Sequence, residues 1–295
     1  MTPEEMNKVL RTLYLLGGLV MTTAACSAQS PDMPPFDAAK AKLLSPERRA
    51  QLDVAFFNEF DTRREGPPTI DHPRAARVHE MAKEGFEIAF LAENIFNLGA
   101  GGVPRVETDV PKLWRRVKLL ALAGDPSAQC LVWNAEPMLR EEFSILPPPE
   151  PDEPTRYQML EKAALDGHPS CMGDWGNYQY QNDAAARVQW NLKGAKKGCL
   201  ICRLRLAFAY AAGEGVEKAD GVAWCWILES WAISKANTVV GDAQAVAGLI
   251  QREFLAPSQQ VKRYLAGTNC ENEDPAGAKI DLKSSLESLV FGVRK

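Results

Sequence analysis

Four glycines restrict what this chain can fold into. Gly85, Gly124, Gly167 and Gly198 are separated by 39, 43 and 31 residues, and four positions after each stands a small residue: Ala89, Ala128, Cys171 and Cys202. A glycine just past a helix supplies the left-handed C-cap conformation. A small residue at a fixed later position suits a place where two helices cross closely, since bulk there would hold the axes apart. A fixed period of this size is the mark of a repeat architecture in which each unit packs on its neighbours.

The period predicts antiparallel helix pairs at about 86–98 with 109–123, 126–142 with 155–166, 169–181 with 183–197, and 199–212 with 219–235. "ILPPPEPDEP" (145–154) interrupts the second pair and cannot be helical, because proline lacks the N–H and clashes with the preceding turn.

The last unit carries the fullest pattern. In "YAAGEGVEKADGVAWCW" (210–226), Tyr210, Gly213, Gly215, Val216, Ala223 and Trp226 stand in the order Y-x-x-G-x-G-V, six residues, A-x-x-W. Trp190 followed eight residues later by Gly198, and "KAALDG" (162–167), continue the pattern. These motifs resemble the Sel-one-like repeat, a relative of the tetratricopeptide repeat. The resemblance covers about 75–235 and is most specific in the last unit. It implies an all-α, right-handed solenoid of antiparallel helix pairs with helical caps, and a surface used to bind proteins rather than to catalyse.

The N-terminus has another character. Lys8 and Arg11 precede the apolar run "TLYLLGGLVM" (12–21), which is followed by "TTAAC". The order fits a secretory signal peptide, and the run is too short for a permanent membrane span. "TAAC" (23–26) resembles a bacterial lipobox, with Thr23 where that pattern prefers leucine. The resemblance makes Cys26 the lipidated residue, and Ser27 beside it implies outer-membrane sorting. Ordinary cleavage after Ala25 or Ala28 is the alternative. The expected organisation is a signal peptide at 1–25, a flexible tether at 26–36 and an N-terminal helical cap at 37–74. The array follows at 75–235, with a C-terminal cap and tail at 236–295.

Several chemistries can be set aside. A net charge of −4 and a pI near 5.6 argue against nucleic acid, which needs clustered cations. "RRVK" (115–118) and "AKK" (195–197) read as solvated helix faces. The G-x-G at Gly213 and Gly215 follows a helix rather than a strand, and Lys218 stands where a third glycine would be needed to bind a nucleotide. "CLIC" (199–202) lacks a second ligand pair for zinc and the strand that a redox motif would follow, so Cys199 and Cys202 read as core. Disulfides among Cys130, Cys171, Cys199, Cys202, Cys225 and Cys270 stay open, since six cysteines allow many pairings. His72, His79 and His168 lie apart, and Asp109, Asp174, Asp183 and Asp220 fit helix starts. No catalytic residue, metal ligand or cofactor is expected.

Aromatic residues are the binding candidates. Trp190 and Trp226 take packing positions, as does Trp175, whereas Tyr178, Tyr180 and Trp224 are less tied to the core and could anchor a partner. Exported repeat proteins of the family include immunity proteins that neutralise effectors delivered by type VI secretion, notably phospholipases. The resemblance therefore implies a periplasmic immunity protein whose acidic groove blocks a toxin, held to the membrane by lipid on Cys26. The alternatives are a structural adaptor for envelope proteins and, third, a hydrolase.

Overall fold

The computed structural model describes residues 36–60, 73–96 and 109–236. Phe36–Lys295 is one compact unit and Met1–Pro35 another. The expectations for the signal peptide, Cys26 and the C-terminal tail lie outside the described residues. Those residues form eleven α-helices and no strand. In chain order they are α1 (Ala38–Leu43), α2 (Pro46–Glu59), α3 (Pro73–Glu84), α4 (Glu87–Ile95), α5 (Asp109–Leu122) and α6 (Pro126–Pro137). Then come α7 (Arg156–Leu165), α8 (Pro169–Gln179), α9 (Ala184–Lys196), α10 (Leu200–Ala212) and α11 (Asp220–Ala236). From α3 onward each helix packs on the next, and first helices of neighbouring units also touch, α4 on α6 and α8 on α10. This is the expected all-α array of antiparallel pairs, and the helices lie where the glycine spacing puts them.

One turn, repeated four times, makes the array. Gly85, Gly124, Gly167 and Gly198 all have φ between 93° and 106°. At each, the glycine N–H bonds the carbonyl three residues back. The next N–H (Phe86, Asp125, His168 or Cys199) bonds the carbonyl five back. Both bonds satisfy carbonyls that a helix end would leave open. The residue after the glycine then caps the next helix through its side chain at three of the four junctions. Asp125 accepts from the Ala128 N–H, His168 Nδ1 from Cys171, and Cys199 Sγ from Cys202. Asp183 caps α9 as expected, and Thr155 with Gln158 forms a capping box on α7. Asp174 does not start a helix; it is buried within α8.

The small positions pack as the period requires. Ala89, Ala128, Cys171 and Cys202 are all completely buried. Cys202 sits against two glycines: a Cβ on Gly173 of α8 or Gly194 of α9 would come within 2.6 or 2.7 Å of its sulfur. Two of the small residues are also covalently locked. Cys130 is bonded to Cys171, joining α6 to α8, and Cys199 to Cys202 within one turn. Cys225 is disulfide-bonded as well. The "CLIC" stretch is thus core, as expected, and oxidised. Replacing Cys130 and Cys171 with alanine should cost about 2–4 kcal/mol, because their bond closes a long loop. Replacing Cys199 and Cys202 should cost less, roughly 2 kcal/mol, since the loop is short. Urea midpoints of the two double variants test the order.

The sequence marks 37–74 as an N-terminal helical cap; within it, α2 lies across the row of junctions. Arg49 pairs with Asp125 at 2.5 Å, Asp53 lies 3.2 Å from His168, and Asn58 reaches the Gly198 junction. Phe57 packs edge-on against the His168 ring, and Val54 abuts Gly198. At the fourth junction, Lys40 and Ala41 of α1 abut Gly85, while Arg48 pairs with Glu84 and holds that carboxyl below its usual range. The lengths agree: nine residues of helix rise about 13.5 Å, and the arginine side chain covers the rest of two steps of about 8–10 Å between axes. Leu52, Phe56 and Phe57 drive the contact by burial, and the polar side chains set its register. Asn58 donates to the Gly198 carbonyl at 3.1 Å and accepts from the Leu200 N–H at 2.9 Å. Asn58→Ala should therefore cost about 1–3 kcal/mol in denaturant unfolding, because it orphans a buried donor and acceptor.

Candidate functional site

The junctions occupy one edge of the array; the opposite edge holds the turns within each pair. There the structure gathers an aromatic cluster. Trp133 lies past the middle of α6, Tyr157 opens α7, and Trp175 and Tyr178 end α8. Tyr157 and Tyr178 stack with centroids 4.6 Å apart, and Trp133 meets them at 5.5 and 5.8 Å. Trp175 completes the group at 6.3 Å from Tyr178. The Arg156 guanidinium lies over Trp133 and Tyr157, 5.2 and 4.9 Å from their centroids, and donates to the Tyr157 hydroxyl. Such cation–π contacts hold the guanidinium plane in place without neutralising it.

Local chemistry explains how the cluster forms. Pro137 has no N–H to give, and the chain passes from α6 into a single π turn at Met138–Glu142 before leaving the helix. The proline-rich stretch then carries it back to the Thr155 cap, which fixes Arg156 and Tyr157 in the first turn of α7. Lys118 clamps this stretch. It is buried and bridges Glu136 at 3.0 Å and Glu153 at 2.9 Å. Its "RRVK" run is therefore not wholly a solvated face, as the sequence suggested. Beneath the cluster, buried Asp174 accepts from Trp133 Nε1 and from Arg205, tying α6, α8 and α10 together.

A cavity of about 380 Å³ adjoins the cluster, lined by Arg140, Arg156, Tyr157, Pro149 and Pro154. A smaller one of about 170 Å³ lies beyond Tyr178, between Asn177, Asn191, Arg205 and Phe208. The Asn191 carbonyl oxygen beside it is buried and has no hydrogen-bond partner.

The sequence-selected residues divide on this map. Tyr178 is 37% exposed and belongs to the cluster. Tyr180 is half-buried at the C-cap of α8, bonded through its N–H to the Gly176 carbonyl. Trp224 is 1% exposed, which corrects its reading as a partner-binding residue. The α11 helix is apolar on every side there, and Trp224, Cys225, Trp226 and Ile227 are all buried. Ala223 and Trp226 are core, while Tyr210 and Val216 pack against that core partly buried. Asp174 is buried and paired with Arg205, while Glu141, Glu150 and Glu153 line the cavity beside Arg156 and Tyr157. Trp133, Arg156 and Tyr157 were missed. Their signal was the proline-rich insertion, which delivers Tyr157 to the end of α8.

Among the described residues, the buried histidine is His168. It is buried beside Asp53, but its Nδ1 caps α8 and its nearest sulfurs, in Cys130 and Cys171, form a disulfide. Potential ligand atoms of Cys130, His168 and Cys171 lie within 4.8 Å of one another. With both sulfurs bonded to each other, no thiolate is available there as nucleophile or metal ligand.

No protein-family model and no curated protein matches the sequence. Among solved structures, the chain is similar to the crystal structure of a Sel1 repeat protein from Oxalobacter formigenes. The two are 20% identical, with 86% of this chain and 91% of that one covered and a TM-score of 0.40. The architecture of this chain rests on its own four junctions and its helix pairing.

Proposed function

We propose that this chain is a non-catalytic protein-binding repeat protein whose partner docks on the Trp133–Tyr157–Tyr178 edge. The observation that carries the reading is the stacked, partly exposed tyrosine pair with Arg156 held over the rings. Tryptophan, tyrosine and arginine dominate binding energy at interfaces, because they bring large rigid area and fixed donors at low entropic cost. Within that reading, the partner is a toxic effector of the type VI phospholipase class. The chain acts as its immunity protein in the periplasm, held by lipid on Cys26.

Co-expression tests it. Where a toxin gene neighbours this one, cells making that toxin should survive with the wild-type chain. They should die with a Tyr157→Ala/Tyr178→Ala/Arg156→Ala variant whose helical content is unchanged. Survival of cells lacking the gene altogether would exclude an immunity role. A Cys26→Ala variant should lose lipid by intact mass.

A further inference from the structure

All four leucines among the exposed large hydrophobic residues lie on or beside the junction edge, away from the tyrosines. Leu43 is 83% exposed, Leu165 66%, and Leu119 and Leu122 53% each. Their placement follows from the repeat. Two residues before the four junction glycines stand Lys83, Leu122, Leu165 and Lys196, all at the ends of second helices and all exposed. Leu119 is one turn back from Leu122. Leu43 ends α1, whose Lys40 and Ala41 abut the Gly85 junction.

The same edge is basic, although the chain as a whole is acidic. Its carboxylates Glu84, Asp125 and Asp166 are each taken by a basic side chain, Arg48, Arg49 and Lys162. Lys40, Lys42, Lys193, Lys196 and Lys197 have no carboxylate partner among the described residues, Lys40 and Lys197 meeting backbone carbonyls and Lys193 lying over the Trp190 ring, against the unmatched acids Asp37, Glu47 and Glu161. Leucines projecting among unneutralised lysines are the chemistry of a surface that rests on an anionic bilayer: the apolar tips enter the headgroup region and the cations meet the lipid charge.

The chain also enters its folded unit here. Phe36 packs on Phe90, one turn into α4 from the Gly85 junction, with ring centroids 5.3 Å apart. The residues before it include an apolar run at 12–21 and Cys26, and ten residues span at most about 35 Å.

We infer that the junction edge, with Leu43, Leu122 and Leu165 among its lysines, is a docking surface for anionic phospholipid membranes. The aromatic edge then faces away from the bilayer, open to a partner. The inference does not need the immunity reading and does not need lipid on Cys26.

The test uses the chain from Ser27 onward, which retains the whole compact unit from Phe36 and lacks the apolar run. Its thermal melt is first matched to that of the full chain. The probe is cosedimentation with phosphatidylcholine vesicles holding about 30% phosphatidylglycerol, or none, at about 0.05 M salt. Binding is expected with the anionic vesicles only, and should be lost at about 0.5 M salt as the Debye length shrinks. Each lysine at such a surface is worth roughly fivefold, so Lys42→Glu/Lys193→Glu/Lys196→Glu should weaken binding about a hundredfold or more. Leu122→Ser/Leu165→Ser should weaken it about tenfold, by removing the apolar insertion. Tyr157→Ala/Tyr178→Ala should bind as the wild type does. No binding to anionic vesicles at low salt overturns the inference, as does equal loss in the tyrosine variant. Loss of toxin protection in the edge variants without vesicle binding by the wild type assigns the edge to a protein and also overturns it. Vesicle binding that persists where toxin protection fails overturns the immunity reading alone.

Discussion

Arg203→Met is expected to destabilise the chain by about 3–5 kcal/mol, the largest effect of a single substitution anticipated here. Arg203 of α10 and Glu229 of α11 are each 1% exposed, with Nε and Oε2 3.7 Å apart. Removing the guanidinium takes the opposite charge away from a fully buried carboxylate, and breaking a buried ion pair costs far more than never having formed it. The second half of the test is the pair Arg203→Met/Glu229→Leu. With both charges gone, the desolvation cost disappears too, and stability should return to within about 1–2 kcal/mol of wild type or exceed it. Urea unfolding with the disulfides intact reads both. A double variant as unstable as the single would mean that the side-chain shapes, rather than the charges, set the cost.

Gly215→Ala is expected to cost about 2–5 kcal/mol, from two sources that add. The residue has φ +75°, where an L side chain loses about 1–2 kcal/mol. Its Cβ would also fall 2.3 Å from the Ala184 carbonyl carbon and 2.7 Å from the Ala185 N–H nitrogen, at the start of α9. That is backbone, which cannot rotate away, so overpacking adds about 1–3 kcal/mol. Gly213 provides the control. It has the same φ, but its Cβ would come no nearer than 3.3 Å to Lys218 Cβ, with the Lys218 backbone at ordinary contact distance. Gly213→Ala should therefore cost about 1–2 kcal/mol, and Gly213→Asn less. Equal costs for Gly213→Ala and Gly215→Ala would show that φ alone decides. The two glycines of one G-x-G thus have different work: the first ends α10, and the second lets the turn press on the preceding unit.

Much of the helical frame could be read from the residues because the decisive interactions there are short. A glycine in the left-handed region two residues past a helix, with Asp125, Asp183 or Thr155 at a helix start, acts within one turn of chain. The small residue at glycine plus four was legible because bulk there meets the same neighbour in every unit. The candidate site was legible only in part. Tyr178 could be picked out as an aromatic outside the packing positions. Trp224 was picked for the same reason and is core, because α11 buries more faces than its pattern reveals.

The cysteines show the limit most sharply. The period marked Cys171 and Cys202 as packing residues, and they are; it could not say that one pairs across 41 residues and the other across three. The same holds for α2, whose Asp53 and Asn58 find partners more than a hundred residues away.

The sequence by itself determined the turns, the caps and the order of helix pairs, because each depends on the backbone preference or side-chain oxygen of one or two adjacent residues. Only the tertiary structure decided which charges are buried and what each edge of the array exposes. Those outcomes depend on residues brought together by packing: Lys118 with Glu153, Arg156 over Trp133, and leucines aligned along successive junctions. No local pattern in the chain encodes such meetings.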